Sequence, residues 1–362
     1  MTKLTLPSFE EMYRAVERRD TSFDGIFFTA VKTTGIFCRP TCSAKLPYVK
    51  NVEFYATVAE AMSYGFRPCK RCCPLEPRGV VPKPIEQLLA EIEIDPSLRL
   101  TDMDLRQRGH DPATLRRWFK SNFGMTFQAY HRSHRLSKAM GELSSGAKIA
   151  QTAFDSGYES LSGFQDALHQ ITGRSASKSR DSRVVHLSRM VTPLGPMLTG
   201  ATDSGICLLE FSDRPMLETQ ILKISKKLNC VFLPGSNEFI FKLEEELKGY
   251  FAGTIKKFKT PLVFIGSDFQ KRTWNALCQI DYGKTRSYSE QARMIGSPDA
   301  VRAVARANGE NSIAIVVPCH RVVGSNGTLT GYGGGLFRKK WLLEHEGAVV
   351  AKNYSQTEFS LK

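Results

Sequence analysis

Four cysteines near the start of the chain stand in two close pairs, and this spacing constrains the fold more than any other feature. Three residues separate Cys38 from Cys42, two separate Cys69 from Cys72, and twenty-six lie between the pairs. Two pairs of thiolates on short turns supply the four soft ligands that zinc takes in tetrahedral geometry. The sequence therefore predicts one zinc ion per chain, held by Cys38, Cys42, Cys69 and Cys72.

The remaining cysteines argue against a disulfide scaffold. The chain has nine cysteines, an odd number, and no charged segment followed by an apolar segment begins at Met1. Both observations favour a reducing compartment, where paired cysteines more often bind metal. The longest apolar run, 313–317, is far shorter than the ~20 residues that span a bilayer. We expect a cytoplasmic protein in which Cys73, the extra thiol beside the cluster, is not a ligand.

An excess of positive charge points to a polyanionic partner. Fifty Lys and Arg residues oppose thirty-six Asp and Glu residues, which gives a formal net charge of +14 at pH 7. The basic residues are interleaved with carboxylates rather than gathered in one run, and this favours specific docking over a sticky tail. Nucleic acid and an acidic surface are both open at this point.

A four-cysteine zinc site is usually structural, yet two features of this one favour chemistry. Four thiolates around a divalent cation leave a net charge of about −2, so the sulfurs are ionised and electron-rich at neutral pH. A structural site and a reactive site are therefore both open from the residues alone. Basic residues that could hold phosphates surround the cluster: Lys32, Arg39, Lys45, Arg67, Lys70 and Arg71.

Residues 31–74, with the motifs VKTTGIFCRPTC and FRPCKRCCP, resemble the N-terminal domain of the bacterial Ada family of DNA repair proteins. The resemblance implies that Cys38 accepts a methyl group from a methylphosphotriester in DNA. It also implies that Thr34, Lys45 and Arg67 contact the DNA backbone. Methylation would turn a thiolate into a neutral thioether, and removing one negative charge beside phosphates strengthens DNA binding, most at low salt. Repair at Cys38 would then act as a signal.

Residues 85–180 have a helical pattern and a basic composition. Asp111 and Pro112 form an N-cap and first-turn pair ahead of one apolar face. The segment resembles the AraC-type DNA-binding region, which carries two helix-turn-helix units, and this makes 112–121 and 160–169 the candidate recognition helices. A helical bundle without a role in DNA binding is the alternative.

Two stretches set this helical region apart from its neighbours. Residues 74–84 contain four prolines and predict a stiff connector. Residues 173–182 are small, polar and basic, and predict a linker. We expect the modules on either side of each stretch to move independently.

The sequence Pro318-Cys319-His320-Arg321 follows a buried strand predicted over 313–317. A lone cysteine after a strand is ordinarily part of a core, but the order of motifs around this one is specific. Residues 184–350 resemble the O6-alkylguanine-DNA alkyltransferases in the motifs PCHR, GYG, WLL and EG, at matched spacing. The resemblance implies that Cys319 is the alkyl acceptor and that His320 takes its proton through a water molecule.

The same resemblance assigns roles to five further residues. Glu346 orients His320, and Asn311 braces the turn that carries the cysteine. Because O6 of guanine lies inside the duplex, the base must be flipped out of the stack. Tyr288 would promote that rotation, Arg302 would fill the vacated stack, and Tyr332 would line the substrate pocket.

Together these observations predict an α+β multidomain protein. We expect a small zinc-binding α/β domain over 1–80 and an all-α helix-turn-helix domain over 85–180. An alkyltransferase domain with a β-sheet subdomain and a helical subdomain should follow over 184–352. We expect a monomer that binds double-stranded DNA, and direct contact with RNA polymerase is left open.

The predicted function is repair of alkylated DNA by irreversible methyl transfer onto Cys38 and Cys319. Methylation of Cys38 would convert the protein into a DNA-binding transcriptional activator. One alternative is a transcription factor without methyl transfer, although the intact PCHR motif argues against it. A second alternative is repair without regulation, favoured by a short first helix-turn-helix unit over 101–112, where Arg106 stands in place of a small residue.

Overall fold

The structure is a computed structural model and describes residues 6–76, 79–95, 97–144, 147–172 and 183–348. The chain divides into two compact units, Met1–Pro82 and Lys83–Lys362. Stretch 173–182, predicted to be a linker, lies outside the described residues. None of the described helices is both long enough and apolar enough to cross a membrane.

The first unit is built on a small mixed sheet. Helix α1 (Phe9–Arg18) precedes strands β1 (Phe28–Val31), β2 (Ile36–Cys38) and β3 (Val52–Tyr55), and helix α2 (Val58–Ser63) leads to β4 (Arg67–Pro68). The strand order is β3-β1-β2-β4, with β1 antiparallel to both its neighbours and β2 parallel to β4. Its core consists of Phe28, Ala30, Phe37, Tyr55 and Ala61.

This sheet brings the two cysteine pairs together because β2 and β4 run parallel and end side by side. Cys38 is the last residue of β2, and Cys69 follows directly after β4. The backbone N–H of Cys69 donates to the carbonyl of Phe37 at 3.0 Å. The strand that carries the first pair therefore also anchors the second.

The second unit begins with helices. These are α3 (Lys83–Ile94), α4 (Asp102–Gln107), α5 (Pro112–Phe123), α6 (Phe127–Ser144), α7 (Ile149–Asp155) and α8 (Leu161–Thr172). The predicted cap of α5 is confirmed, since the Asp111 side chain accepts from the N–H groups of Ala113 and Thr114. Helix α4 belongs to the short first helix-turn-helix unit, and it begins with a capping box between Thr101 and Asp104.

A four-stranded sheet follows the helices. Strands β5 (Arg183–Thr192), β6 (Gly195–Thr202) and β7 (Gly205–Phe211) form an antiparallel meander, and β8 (Cys230–Pro234) pairs parallel to β5 at the other edge. Helix α9 (Leu217–Leu228) lies between β7 and β8 along the chain. Helix α10 (Glu238–Phe251) then packs on the sheet.

The middle helices share a hydrophobic core with this sheet. Helices α6 and α8 pack on β8, and Val231 and Leu233 of β8 are buried in the core of α6, α7 and α8. The expectation that these two modules move independently is therefore wrong for the described residues, because apolar side chains on both sides need the contact to leave water. The helical residues of this core are Leu136, Ala139, Met140, Leu143, Ala153, Tyr158, Phe164, Ala167 and Leu168.

The rest of the second unit is mostly helical. It contains α11 (Asp268–Leu277), β9 (Arg286–Ser287), α12 (Tyr288–Met294), α13 (Val301–Gly309), β10 (Val322–Val323) and α14 (Leu336–His345). The α+β multidomain class is confirmed.

The prediction of a strand over 313–317 is wrong. These residues form turns, with a single bridge from Ile313 to Leu209. Ile315 has a φ of 69°, in the left-handed region that a β-branched residue rarely adopts. The run is apolar because it is buried in the core, and burial alone does not make a strand.

Candidate functional site

The four predicted ligands form one cluster. The sulfur atoms of Cys38, Cys42, Cys69 and Cys72 all lie within 4.8 Å of one another, and no other such group occurs among the described residues. Four sulfurs at Zn–S distances of about 2.3 Å would lie about 3.8 Å apart, so the cluster fits a tetrahedral zinc ion. The chain therefore holds one zinc ion through four cysteines.

The extra thiol of Cys73 points elsewhere, as expected. Its Sγ donates to the carbonyl of Lys70 at 3.5 Å, and the residue is exposed with a φ of 43°. The cluster instead receives two backbone donors, from the N–H of Arg39 to Cys72 Sγ at 3.3 Å and from that of Arg71 to Cys69 Sγ at 3.4 Å. Such bonds stabilise thiolates over thiols.

Crowding of the sulfurs also affects their protonation. The hydrogen bond to Cys72, together with burial, raises the pKa of Cys38, and burial raises the pKa of Cys42. The hydrogen bond from Cys38 lowers the pKa of Cys72 to about 6. Crowded thiols thus keep some of their protons, whereas a divalent cation among them favours the ionised form of all four.

A groove beside Cys38 gives access to its sulfur. Arg18, Arg19 and Lys45 contribute to its walls together with Cys42. Of the three predicted DNA contacts on this unit, Lys45 is the one that lines this groove.

The other two predicted contacts on this unit are exposed on the sheet. Thr34 stands in the turn between β1 and β2, where its hydroxyl donates to the Val31 carbonyl at 3.3 Å. Arg67 lies on β4 in register with Ile36. Not every cation near the cluster is available for DNA, because Arg39 pairs with Asp24 at 3.2 Å and donates to the carbonyl of Cys72.

The second site is organised by the side chain of Asn311. Its amide Nδ2 donates to the carbonyl of Val317 at 2.9 Å and to Cys319 Sγ at 3.3 Å, while its Oδ1 accepts from the N–H of Ile313 at 3.0 Å. One amide therefore closes the turn and also touches the thiol. This is the bracing position that the sequence predicts for Asn311.

His320 and Glu346 are fully buried and bonded to each other. Nε2 of His320 lies 2.9 Å from Glu346 Oε1. Arg321 donates to both carboxylate oxygens, at 2.8 and 3.0 Å, and the Tyr250 hydroxyl donates to Oε1 at 2.8 Å. The N–H of Gly283 completes the set at 3.3 Å from Oε2.

The pKa shifts fix the protonation of this pair. Burial opposes ionisation of Glu346, but the hydrogen bonds of His320 and Arg321 outweigh it and hold its pKa well below the usual range. Because an ionised carboxylate only accepts, the His320 proton sits on Nε2. Burial lowers the pKa of His320 and keeps the ring neutral. Its Nδ1 has no hydrogen-bond partner among the described residues, so it is free to accept a proton.

Cys319 is half-buried, and the Asn311 amide donates to its sulfur. Burial raises its pKa, while the hydrogen bond from Asn311 and the charges of Arg214 and Lys339 lower it. Lys339 is completely buried, with its ammonium 2.6 Å from the Val322 carbonyl and 2.8 Å from that of Thr330. Burial lowers the pKa of Lys339 to about 8. The site therefore combines a weakly acidic thiol with buried cations and a neutral base.

The remaining predicted residues divide into two groups. Tyr288 is half-buried and its hydroxyl accepts from Thr330 at 3.3 Å, and Tyr332 packs against the same core as Cys319. The Tyr332 hydroxyl is buried without a hydrogen-bond partner among the described residues. Arg302 instead lies exposed in the first turn of α13.

Sequence reasoning missed several residues of this site. Tyr250 lies ninety-six residues before Glu346, and no motif marks it. Lys339 stands in helix α14 without a motif around it, and a lysine is ordinarily exposed. Arg214 and Gln220 both donate to the carbonyl of Asn311 from outside the alkyltransferase motifs.

The two candidate recognition helices, α5 and α8, present exposed residues on their outer faces. The C-terminal end of α5 faces the sheet, where Lys120 lies 3.5 Å from Glu218 and Arg189 donates to Asn122 at 2.9 Å. The N-terminal part of α5 and the outer face of α8 are thus the surfaces open to DNA. Their exposed residues include Thr114, Arg116, Arg117, Ser162, Gln165 and His169.

Three family models match the chain. Residues 11–75 match the metal binding domain of Ada, and residues 106–182 match a helix-turn-helix domain. Residues 268–348 match the DNA binding domain of 6-O-methylguanine DNA methyltransferase.

Curated relatives cover the whole chain or its C-terminal part. The bifunctional transcriptional activator/DNA repair enzyme Ada of Escherichia coli is 33% identical over 359 residues, covering 96% of this chain and 98% of that protein. The regulatory protein ada of Salmonella typhimurium is 34% identical over 354 residues, covering 96% and 99%. A methylated-DNA–protein-cysteine methyltransferase of Mycobacterium tuberculosis is 58% identical over 163 residues, covering 45% and 93%.

Proposed function

The chain belongs to the Ada family, and we propose that it repairs alkylated DNA by moving methyl groups irreversibly onto two of its own cysteines. Cys319 takes the methyl group of O6-methylguanine, and Cys38 takes that of a methylphosphotriester. One pair of contacts carries the proposal: the Asn311 amide donates to the Cys319 thiol, and the next residue along the chain is a neutral histidine whose proton is fixed by an ionised glutamate. A nucleophile, a base and an orienting carboxylate are the parts of an activated thiol.

At Cys319 the thiol proton moves to Nδ1 of His320, relayed by a solvent molecule. The thiolate then attacks the methyl carbon, so that a sulfur–carbon bond forms as the carbon–O6 bond breaks. The electron pair goes to O6, and protonation of the purine ring gives guanine. Glu346, which Arg321 holds by donating to its carboxylate, keeps the imidazole in place while it carries the added proton. The thioether has no route back to the thiolate, so each site acts once.

At Cys38 no base is required. A bound zinc ion would keep the four sulfurs as thiolates at neutral pH. The sulfur of Cys38 attacks the methyl carbon of the triester, the carbon–oxygen bond breaks, and the phosphate departs as an ordinary diester with its negative charge. Lys45 lies in the groove beside this sulfur and supports the approach of a phosphate backbone.

Methylation of Cys38 lowers the negative charge of the zinc site by one unit, and this makes the first unit a better ligand for DNA. The helix-turn-helix region would then hold the protein at promoters, where it acts as a transcriptional activator. We place this activity in the cytoplasm, with the protein as a monomer on double-stranded DNA. RNA polymerase is the partner that activation would require.

Peptide mass spectrometry tests both transfers at once. Zinc-loaded protein is mixed with duplex DNA that carries O6-methylguanine and methylphosphotriesters. We expect one methyl on the peptide with Cys38 and another on the peptide with Cys319, and none on the exposed thiol of Cys278. Methyl on Cys319 alone would leave a guanine repair protein with a structural zinc site. Methyl on neither would leave a transcription factor.

The matched control is Cys278→Ala, which removes an exposed cysteine from the unit that also contains Cys319. Methyl transfer to Cys38 and Cys319 should be normal in this variant. Regulation is tested separately by comparing promoter binding of methylated and unmethylated protein at fixed salt. Equal affinities would support repair without regulation.

A further inference from the structure

Arg214 is a buried arginine on the sheet side of the second unit, just after β7. Its side chain is 6% exposed and forms an ion pair with the fully buried Glu210. Glu210 also accepts from the N–H of Phe211 at 3.0 Å. A guanidinium with five donors fixed in this way can serve further acceptors around it.

Those further acceptors belong to the turn that carries Asn311. Nη1 of Arg214 donates to the Asn311 carbonyl at 3.1 Å, and Nη2 donates to the carbonyl of Gly309. Gln220 on α9 donates to the same Asn311 carbonyl at 3.1 Å. The main chain of Asn311 is thus held from the sheet side while its side chain holds the Cys319 thiol.

Arg214 also touches the segment that carries Tyr332. A Cβ atom added at Gly333 would lie 2.5 Å from Cζ of Arg214, so the guanidinium packs directly against the backbone there. Gly333 follows Tyr332, the predicted pocket residue. The side chain of Arg214 therefore contacts both the turn that precedes Cys319 and the segment that carries Tyr332.

We infer that Arg214 is a positioning residue for alkyl transfer at Cys319, acting through Asn311 and the Gly333 segment. The inference rests on the proposed function. Its physical basis is that the Asn311 amide can stabilise the Cys319 thiolate only while the turn holds its geometry, and this turn contains the left-handed Ile315. A loss of the support at Asn311 would let the turn relax away from the sulfur.

Charge adds to the effect of geometry. Arg214 and Lys339 favour the thiolate of Cys319, Glu210 opposes it, and Tyr288 and Tyr332 face the thiol as neutral groups. Replacing the delocalised guanidinium by a single ammonium keeps the positive charge next to Glu210 but cannot reach two carbonyls in fixed directions. Arg214→Lys therefore separates the positioning effect from the loss of a charge.

The test compares Arg214→Lys with the wild-type protein and with Leu143→Ala, a substitution in α6 that weakens the separate core of the middle helices. Iodoacetamide labels Cys319 across a pH range, and mass spectrometry follows that peptide. We expect the labelling midpoint of Arg214→Lys to move upward by about half a unit or more, with methyl transfer slowed about 10-fold. The affinity for undamaged duplex should not change.

A wild-type midpoint in Arg214→Lys, or a shift no larger than that of Leu143→Ala, would overturn the inference. Glu210→Gln/Arg214→Met is the second variant, which removes both charges and leaves no buried ion unpaired. It should slow transfer at least as much as Arg214→Lys, and normal transfer would also overturn the inference. Failure of the wild-type protein to take up methyl would instead refute the proposed function, while iodoacetamide labelling would still report on the turn.

Discussion

Cys38 and Cys319 are both half-buried thiols, but the surrounding residues prepare them in opposite ways. Around Cys38 the nearest groups are three more sulfurs, and ionisation depends on a cation that the chain must acquire. Around Cys319 the chain supplies an amide donor, two buried cations and a neutral histidine. Cys38 thus depends on a bound metal for its ionisation, and Cys319 depends on a preorganised polar network. Different changes should therefore inactivate the two thiols.

Zinc removal should separate the two sites most strongly. Structural zinc contributes about 10–16 kcal/mol to small domains, and the first unit has only a small apolar core, so a chelator should unfold it and abolish transfer to Cys38. Transfer to Cys319 should stay within about two-fold of its starting rate, because Cys319 belongs to the other unit and to no group of metal ligands among the described residues. Peptide mass spectrometry with and without added zinc measures both. Equal loss at the two cysteines would contradict this independence.

Glu346→Gln should act on the other side of the comparison. The change leaves Arg321 and His320 without their buried anion, so the second unit should lose about 3–5 kcal/mol of unfolding free energy. Transfer to Cys319 should fall by about 100-fold, since the histidine loses its fixed tautomer. Transfer to Cys38 should not change. Urea unfolding and peptide-resolved transfer rates check both parts, with Glu344→Gln, an exposed neighbour, as the control.

Lower pH should affect only the second unit through histidine, because all seven histidines follow residue 82. Burial lowers the pKa of His131 to about 4 and lowers that of His320. An unfolded histidine takes up a proton near pH 6.5, so stability is present above this pH and is lost as pH falls toward 4. We expect His131 to account for a loss of about 1–2 kcal/mol between pH 7 and 5, and His320 to act in the same direction. Urea titrations of the wild type and His131→Gln should show a flatter pH dependence in the variant.

Lys45→Ala should give the smallest effect and the most local one. Removing one exposed cation from the groove beside Cys38 should slow transfer to that cysteine by about three-fold at low salt. The difference should vanish at about 0.5 M salt, where exposed charges are screened. Rates at two salt concentrations measure it, and transfer to Cys319 in the same sample is the internal control. A salt-independent loss would mean that Lys45 supports the fold instead.

The sequence predicted the zinc ligands correctly because the short spacing within each cysteine pair is itself typical of zinc ligands. Short gaps put each pair on one turn, and the soft sulfur ligands specify the metal. The N-cap of α5 could also be predicted, because Asp111 and Pro112 act on backbone groups only a few residues away. Features of this kind depend on residues that are close together in the sequence, so they can be predicted without a structure.

Other parts depend on contacts between distant residues and could not be predicted. The apolar run 313–317 gave no sign of its turn, because the side chain of Asn311 replaces the hydrogen bonds of a neighbouring strand. Tyr250 and Arg214 reach the site only after the sheet and helices have packed. Nor did the linker-like composition of 173–182 reveal that the flanking modules share a core.

That shared core sets where the chain can be cut for expression. A fragment that starts at Arg183 would keep the sheet and the Cys319 site, but Val231 and Leu233 would lose the helices that cover them. Partly covered Val184 lies beside them on the neighbouring strand, so the new surface would be apolar and contiguous. Such a fragment should be prone to aggregation, whereas one that starts near Lys83 keeps the cover and should be easier to purify.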